Sequence, residues 1–333
     1  MNKKAIVLLS GGLDSILAVK LMLEQGIDVI AVNFSAKLCM CGTKKTGESP
    51  AQAAAKMLGV ELKTIDITDD FVEIVKNPRY GHGSNINPCI DCKIYMLKHA
   101  KSLMEKLGAS FLVTGEVLGE RPMSQRKDAL NLIEKTAGVR GILLRPLTAK
   151  NLPLTKPELE GIVDREKLLD IRGRSRKPQM ALAEKFGITK YPSPAGGCLL
   201  TDPCFAQRVK EAMKHGEFIK ENLAILSVGR HFRLSDSVRL VVGRDAAENE
   251  ILESLAKSGD IIFIMKDHQG PLSILRGKAD DKLVNLAASV AAYHTKFRGE
   301  KSVAVNYWEA GSLPKDTIFA KPADKETVES LRI

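Results

Sequence analysis

The sequence predicts an α/β fold, a doubly wound parallel sheet followed by a smaller α+β domain. Three observations carry this. Apolar runs alternate with helical stretches through roughly residues 3–165. A Ser-Gly-Gly turn sits between the first apolar run and the first helical stretch. From about residue 205 the strict alternation gives way to a mixed order of helices and strands.

The elements follow in order. Ala5–Leu9 is a continuous apolar run, as in a strand buried on both faces. Leu13–Gln25 has helical spacing and stops at Gly26. Val29–Phe34 reads as a second strand, Pro50–Leu58 as an Ala-rich helix ending at Gly59, and Glu61–Ile67 as a strand. A loop rich in Gly, Asn and Pro spans Asn77–Pro88. Ile90–Leu107 is helical and stops at Gly108, and Phe111–Thr114 and Ile142–Leu144 are short strands. Residues 171–190 then carry six basic residues and one acid, and a turn-rich stretch leads to Cys198 and Cys204. Beyond it, Phe205–His215, Glu248–Ser258 and Lys282–His294 read as helices, and Val238–Val242, Asp260–Met265 and Ser302–Tyr307 as strands. The expected domains are 1–165, a basic connecting segment 166–205, and 206–333.

Composition excludes several classes. The chain has 333 residues, 44% hydrophobic and 27% charged, which describes a globular protein and not a disordered one. No apolar run approaches the roughly 20 residues of a membrane span, so no membrane partner is expected. Five apolar residues between Lys4 and Ser10 are too few for a signal-peptide core, which points to the cytoplasm. A net charge of +10 suits a polyanionic partner, and equally a solvated surface.

The most specific motif is Ser10-Gly11-Gly12-Leu13-Asp14-Ser15. Two glycines let backbone approach a phosphate and take up strained angles. The hydroxyls of Ser10 and Ser15 and the N–H groups at the helix start then face the anion. Asp14 makes sense there if it helps hold Mg²⁺. The common G-x-x-x-x-G-K-[ST] loop is absent.

The second motif is Asn87-Pro88-Cys89-Ile90-Asp91-Cys92. A C-x-x-C at a helix start places two sulfurs on one side of the first turn, where the helix dipole favours the thiolate. Two ligands hold a metal poorly, and Cys198, preceded by Gly196-Gly197, is the best third. Three cysteines on a four-iron cluster leave one iron open to an outside ligand. A zinc half-site and a dithiol pair, with Cys198 as a persulfide carrier, are the competing readings. Cys39 and Cys41 read as bland thiols that could supply a fourth ligand, and Cys204 as structural.

SGGLDS after an N-terminal strand resembles the loop of the PP-loop ATP pyrophosphatases. The resemblance implies cleavage of ATP between its α and β phosphates. It implies a nucleotide site of Ser10, Gly11, Gly12, Asp14 and Ser15, with Asn33 and Phe34 beside the adenine and Gly115 and Gln125 in the strand-end loop. With NPCIDC, the distant Cys198 and the stretch Thr114–Gln125, the chain resembles the shorter, iron–sulfur-dependent ThiI-like tRNA thiolases. These implied expectations follow: ATP, Mg²⁺ and a [4Fe-4S] cluster on Cys89, Cys92 and Cys198; tRNA as substrate; and 4-thiouridine at position 8 as product. Alternatives are 2-thiouridine, an amidating or nitrile-forming synthetase with structural zinc, and an RNA-binding protein with a vestigial nucleotide site.

Bacterial 4-thiouridine synthases carry RNA-binding domains ahead of the loop and often a rhodanese domain after it. Here the loop begins at residue 10, so RNA contact is expected from Arg172, Arg174, Arg176 and Lys177 and from the last domain. Sulfur would come from sulfide or an external donor. Glu116, Arg121 and Gln125 are candidates to orient ATP or the base, with loop packing as the alternative. Arg230, His231, Phe232 and Arg233 combine charge with an aromatic ring, as RNA stacking needs. His82 is expected in a loop hydrogen bond, and a homodimer stays open.

Overall fold

The computed structural model describes residues 2–36, 47–192, 198–312 and 316–333. Cys39, Cys41, Gly196 and Gly197 lie outside the described residues. The chain forms two compact units, Met1–Asp202 and Pro203–Ile333.

The first unit runs β1 (Lys4–Leu8), α1 (Leu13–Leu23), β2 (Asp28–Ser35), α2 (Pro50–Leu58), β3 (Glu61–Asp66), α3 (Thr68–Lys76) and α4 (Cys89–Lys106). It continues with β4 (Phe111–Val113), α5 (Lys127–Ala137), β5 (Leu143–Leu144), α6 (Lys156–Leu159) and α7 (Lys177–Lys185). The sheet order is β3-β2-β1-β4-β5, with every pairing parallel. Side chains alternate across a strand, and β1 serves both faces. Ala5 and Val7 pack with Leu13, Ile16 and Leu17 of α1. Ile6 packs with Leu97 and Ala100 of α4 and Ile133 of α5. Because β1 lies between β2 and β4, its carboxyl end is the point where strand order reverses, and open α/β sheets bind ligands there.

Four helices of this unit, α3, α5, α6 and α7, go beyond the sequence expectation. In α5 the buried Ala129, Leu130, Ile133 and Ala137 follow helical spacing, and Gly138 ends the helix in a left-handed turn. In α3 the first turn begins at Ile67, and Asp66 accepts from the Thr68 N–H in place of a cap residue.

The second unit contains α8 (Pro203–Lys214), α9 (Leu223–Leu226), β6 (Arg230–Ser235), β7 (Val238–Val242), α10 (Ala246–Leu255) and β8 (Ile261–Met265). Then come β9 (Ser273–Arg276), α11 (Asp281–Tyr293), β10 (Val303–Glu309), β11 (Asp316–Ala320) and α12 (Lys325–Leu331). Its six strands are antiparallel in the order β11-β10-β8-β9-β7-β6. The alanine face of α11 (Ala287, Ala288, Ala291) packs with Phe232, Leu240 and Phe263.

The stacking reading of residues 230–233 is corrected by β6. Phe232 and His231 are fully buried, and Arg233 is held by Glu211 and Glu217. These side chains build the unit's interior and present no face to a base.

Candidate active site

The loop after β1 shows how two adjacent glycines differ. Gly11 has φ +81°, and a Cβ there would lie 2.6 Å from the Ala51 nitrogen at the start of α2. Gly12 caps α1 with φ −76°, an ordinary extended angle. The strain expected of both glycines therefore falls on Gly11 alone. The Ser15 hydroxyl donates to the Gly12 carbonyl at 2.8 Å and lies 3.2 Å from the Ser10 hydroxyl. No side chain caps α1. Its first N–H groups, on Leu13, Asp14 and Ser15, therefore remain open to an anion.

Gly115, just past β4, has a stricter role than flexibility. A Cβ there would sit 2.5 Å from the Asp14 carbonyl and 2.7 Å from the Ser15 nitrogen. The strand end lies directly against the phosphate loop, and only glycine fits. Asn33 and Phe34 stand at the carboxyl end of β2. The Asn33 amide donates to the Leu9 carbonyl at 2.9 Å, and Phe34 packs on the α4 side of the sheet. Gln125 is a brace of its own loop, because its side-chain oxygen accepts from the Arg121 N–H at 3.0 Å. His82 bonds the Val75 carbonyl at 2.9 Å, as expected.

Two charged networks flank the loop. In the first, Arg176 reaches Asp14 and Glu120, each at 2.6 Å. Burial and the Glu120 charge raise the Asp14 carboxyl to about 6, against the pull of Arg176. Asp14 Oδ1 and Glu120 Oε2 are buried without hydrogen-bond partners. Mg²⁺ takes oxygen ligands, typically one or two carboxylates plus substrate phosphates, so this oxygen pair fits it. Arg176 is thus turned inward onto Asp14 and Glu120, away from the RNA-facing surface on which the sequence placed it. Arg172, Arg174 and Lys177 remain exposed.

In the second network the buried Glu116 pairs with Arg145 at 2.9 Å and with Lys93 at 3.4 Å. Arg145 also meets Glu134. Burial would raise the Glu116 carboxyl, but Lys93 and Arg145 outweigh it and hold it at about 2. Glu116 is therefore an interior anion that supports the strand end.

The cysteines converge on the same end of the sheet. Cys89 and Cys92 lie in the first turn of α4, and the Cys89 thiol donates to the Asn87 side chain at 3.2 Å. Cys198 is brought beside them by two bonds. The Asn85 amide donates to the Thr201 carbonyl at 2.7 Å, and the Ile86 N–H to the Leu200 carbonyl at 3.4 Å. Burial pushes the Cys92 thiol up to about 12 against the pull of the Lys93 ammonium, and the Cys198 and Cys89 sulfurs push the same way. The protein around Cys198 raises its thiol too, with the Leu200 N–H opposing and Cys89 adding to the rise. Burial thus outweighs the helix dipole at Cys92, and the expected thiolate needs a cation beside it. The Arg121 charge lowers both the Asp14 and the Cys198 groups, as the smallest of the influences on each.

Among the described residues no group of three or more His, Cys, Asp or Glu is disposed to hold a metal ion. One zinc ion would draw its sulfurs in to about 2.3 Å from the metal. A cubane cluster binds one cysteine per iron and spreads them more widely. Cys89, Cys92 and Cys198 are soft donors, and both zinc and an iron–sulfur cluster take thiolate ligands.

Comparison with known proteins places each unit beside a known family. Residues 1–156 match the family model described as thiamine biosynthesis protein ThiI, and residues 229–332 the model of the NFACT protein RNA binding domain. The amino-terminal unit carries a ThiI-family PP-loop domain. Among curated relatives, the tRNA-specific 2-thiouridylase MnmA 2 of Thermoanaerobacter sp. (strain X514) is 28% identical over 245 residues, covering 66% of this chain and 62% of that protein. A probable tRNA sulfurtransferase of Methanosarcina mazei is 32% identical over 127 residues, covering 35% of this chain and 29% of that protein. The chain thus spans less than two thirds of the length of these relatives. A solved 4-thiouridine synthetase–RNA complex with bound ATP overlaps 56% of this chain and 53% of its own, at 21% identity and a TM-score of 0.35. No helix among the described residues is long and apolar enough to cross a membrane.

The sequence reading missed Glu120, Lys93 and Arg145. Glu120 and Arg176 are 56 residues apart, and no local pattern announces the pair. Lys93 follows Cys92 directly, and its charge there was the available signal.

Proposed function

We propose that this protein is an ATP-dependent tRNA uridine thiolase, most directly a 4-thiouridine synthase acting at position 8. The observation that carries the reading is convergence. The phosphate loop follows β1 at the reversal point of the sheet, Cys89 and Cys92 open α4, and Cys198 acts electrostatically on Cys92, which supports reading them as parts of one site. The ThiI-family match over residues 1–156 and the RNA-binding match over 229–332 support the enzyme class and the substrate.

In this reading the phosphates of ATP lie on the open N–H groups of Leu13, Asp14 and Ser15. Asp14 and Glu120 are the residues suited to Mg²⁺. A uridine carbonyl oxygen attacks the α-phosphorus, the bond to the bridging oxygen breaks, and pyrophosphate leaves with its charge met by the helix start and Arg121. Sulfide then adds at the activated ring carbon, and AMP departs with the former carbonyl oxygen. An iron–sulfur cluster on Cys89, Cys92 and Cys198, when bound, supplies a Lewis acid that keeps sulfide deprotonated near neutral pH. The uridine leaves its stack to reach the site, as in other base-modifying enzymes. Arg172, Arg174 and Lys177 take tRNA phosphates, and the setting is cytoplasmic.

One observation favours a second product. The relative that matches 66% of the chain is named a 2-thiouridylase. Nucleoside analysis of unmodified tRNA, incubated anaerobically with ATP, Mg²⁺ and sulfide, separates the two. We expect 4-thiouridine. 2-Thiouridine would move the target to another ring carbon, and no thionucleoside with no pyrophosphate would overturn the assignment. Loss of product in Cys89→Ala, Cys92→Ala and Cys198→Ala, with product retained in Cys204→Ala, is expected of the ligand set.

A further inference from the structure

The segment entering α7 has two differently employed faces. Arg172, Arg174 and Lys177 are exposed and make no hydrogen bond or ion pair through their side chains to the described residues. Arg176, between them, turns inward and bridges Asp14 of the phosphate loop to Glu120. Gln179, one turn further on, is fully buried. The segment is also tied by backbone to the loop that carries Glu120. The Gly173 N–H donates to the Leu118 carbonyl at 2.8 Å, and Leu118 pairs with Arg172 in an isolated bridge. Gly119 and Gly173 both have positive φ, and a Cβ on Gly119 would lie 3.5 Å from the Gly173 nitrogen, so the two turns nest. Six residues therefore hold three outward cations and one inward cation on a single short piece of backbone.

We infer that residues 172–177 couple tRNA binding to the nucleotide site, with Arg176 as the positioning residue that carries the coupling. The inference rests on the proposed tRNA thiolase reading. Phosphates seated on Arg172, Arg174 and Lys177 fix the segment from outside. The fixed segment holds the Arg176 guanidinium against Asp14 and Glu120, at the edge of the site that receives the triphosphate. Neither carboxylate then stands alone with its charge in a buried place, and the phosphates meet a cation whose position is already set. Nucleotide tightens tRNA binding by the same factor, because coupling between two binding sites is reciprocal.

The test is a thermodynamic box on the full chain. The probes are an ATP analogue with a non-cleavable α–β bridge, MgCl₂ and an unmodified tRNA transcript. In the wild type we expect tRNA to tighten the analogue by at least about fivefold, the lower end of common coupling factors. In Arg176→Gln the tRNA should still bind, but the ratio of analogue affinities with and without it should fall to one. Arg176→Lys, which keeps a cation without the two-pronged fork, should retain part of the ratio. If Arg176→Gln does not fold, Glu120→Gln removes the other arm of the bridge and should likewise bring the ratio to one. A wild-type ratio of one, or an undiminished ratio in the variant that folds, overturns the coupling. If thiolation proceeds while the ratio is one, the coupling fails and the thiolase reading stands. If no tRNA binds at all, both fail.

Discussion

The two units use buried charge in opposite ways. In the second, Arg233 and Arg239 are closed around Glu211 and Glu217, and every carboxylate and guanidinium of the four is matched within the group. In the first, the networks of Glu116 and Asp14 leave Asp14 Oδ1, Glu120 Oε2 and an Arg145 nitrogen without hydrogen-bond partners. Buried polar groups are usually satisfied, and each exception needs a reason. Asp14 Oδ1 lies in the first turn after the phosphate loop, and Glu120 Oε2 belongs to the carboxylate that Arg176 bridges to it. A saturated network holds a fold, and an unsaturated one at a strand end holds places for a ligand. Net charge separates the units as well. Residues 1–202 carry 30 Lys and Arg against 22 Asp and Glu, and residues 203–333 carry 20 against 18. The positive excess lies in the unit with the nucleotide site, although residues 229–332 match an RNA-binding family.

The largest expected effect tests whether the open network is also structural. Arg145→Met leaves Glu116 and Glu134 without their shared guanidinium. Removing one partner of a buried pair costs about 3–5 kcal/mol. The amino-terminal unit should lose most of its stability, while fluorescence of Trp308, the only tryptophan and a residue of β10, should report an unchanged transition. A shifted Trp308 transition would show that the units do not unfold separately. A more moderate effect is expected of Gly115→Ala. Its methyl group would press on the Asp14 carbonyl at 2.5 Å, and overpacking of this kind costs about 1–3 kcal/mol. Titration with a nucleotide analogue should show affinity about tenfold to a hundredfold lower, with Trp308 unmoved. Unchanged affinity would separate the strand end from the phosphate site.

Much of the first unit was legible in the sequence for a local reason. Ala5–Leu9 is apolar throughout because β1 is central, and Gly26, Gly59 and Gly108 each stand just after a helix. Ser10–Ser15 announced an anion site because its chemistry lies in six consecutive residues. The second unit was harder, since β6 reads Arg-His-Phe-Arg-Leu-Ser and its Arg233 is neutralised by partners from α8 and the turn after it, while Arg230 donates to the Gly243 carbonyl. A charged strand looks like a surface until those partners are known. The same limit hid the pairing of Arg176 with Glu120. Basic residues clustered at 172–177 read as one RNA-facing group, and only the fold separates the one that turns inward. Cys198 was nominated by chemistry, but the bonds from Asn85 and Ile86 that bring it near Cys89 span more than a hundred residues.

Acid should pull the two units apart, and this is the smallest of the expected effects. Four of the six histidines lie in the second unit, and two of them are held neutral. Burial lowers His231 well below its usual value, helped by Arg208 and Arg239. Burial also lowers His294 to about 4, with Arg230 and Arg332 adding. In the unfolded chain both take up a proton near pH 6.5. Below that pH the unfolded state binds more protons, so the second unit loses stability as pH falls from 6.5 toward 4. The loss is at most about 1.4 kcal/mol per histidine for each pH unit, and less for the half-exposed His294. Asp14 has the opposite sign. Its folded value of about 6 lies above the unfolded 3.8, so the folded first unit binds the extra proton and gains stability over that window. Glu116, held at about 2, withdraws its contribution only below about 4.5. Between pH 6.5 and 4.5 the Trp308 transition should therefore move to lower denaturant while the transition of the first unit, followed by amide exchange in β1 and β4, holds or rises. If both fell together, the histidines of the second unit would not be what distinguishes it in acid.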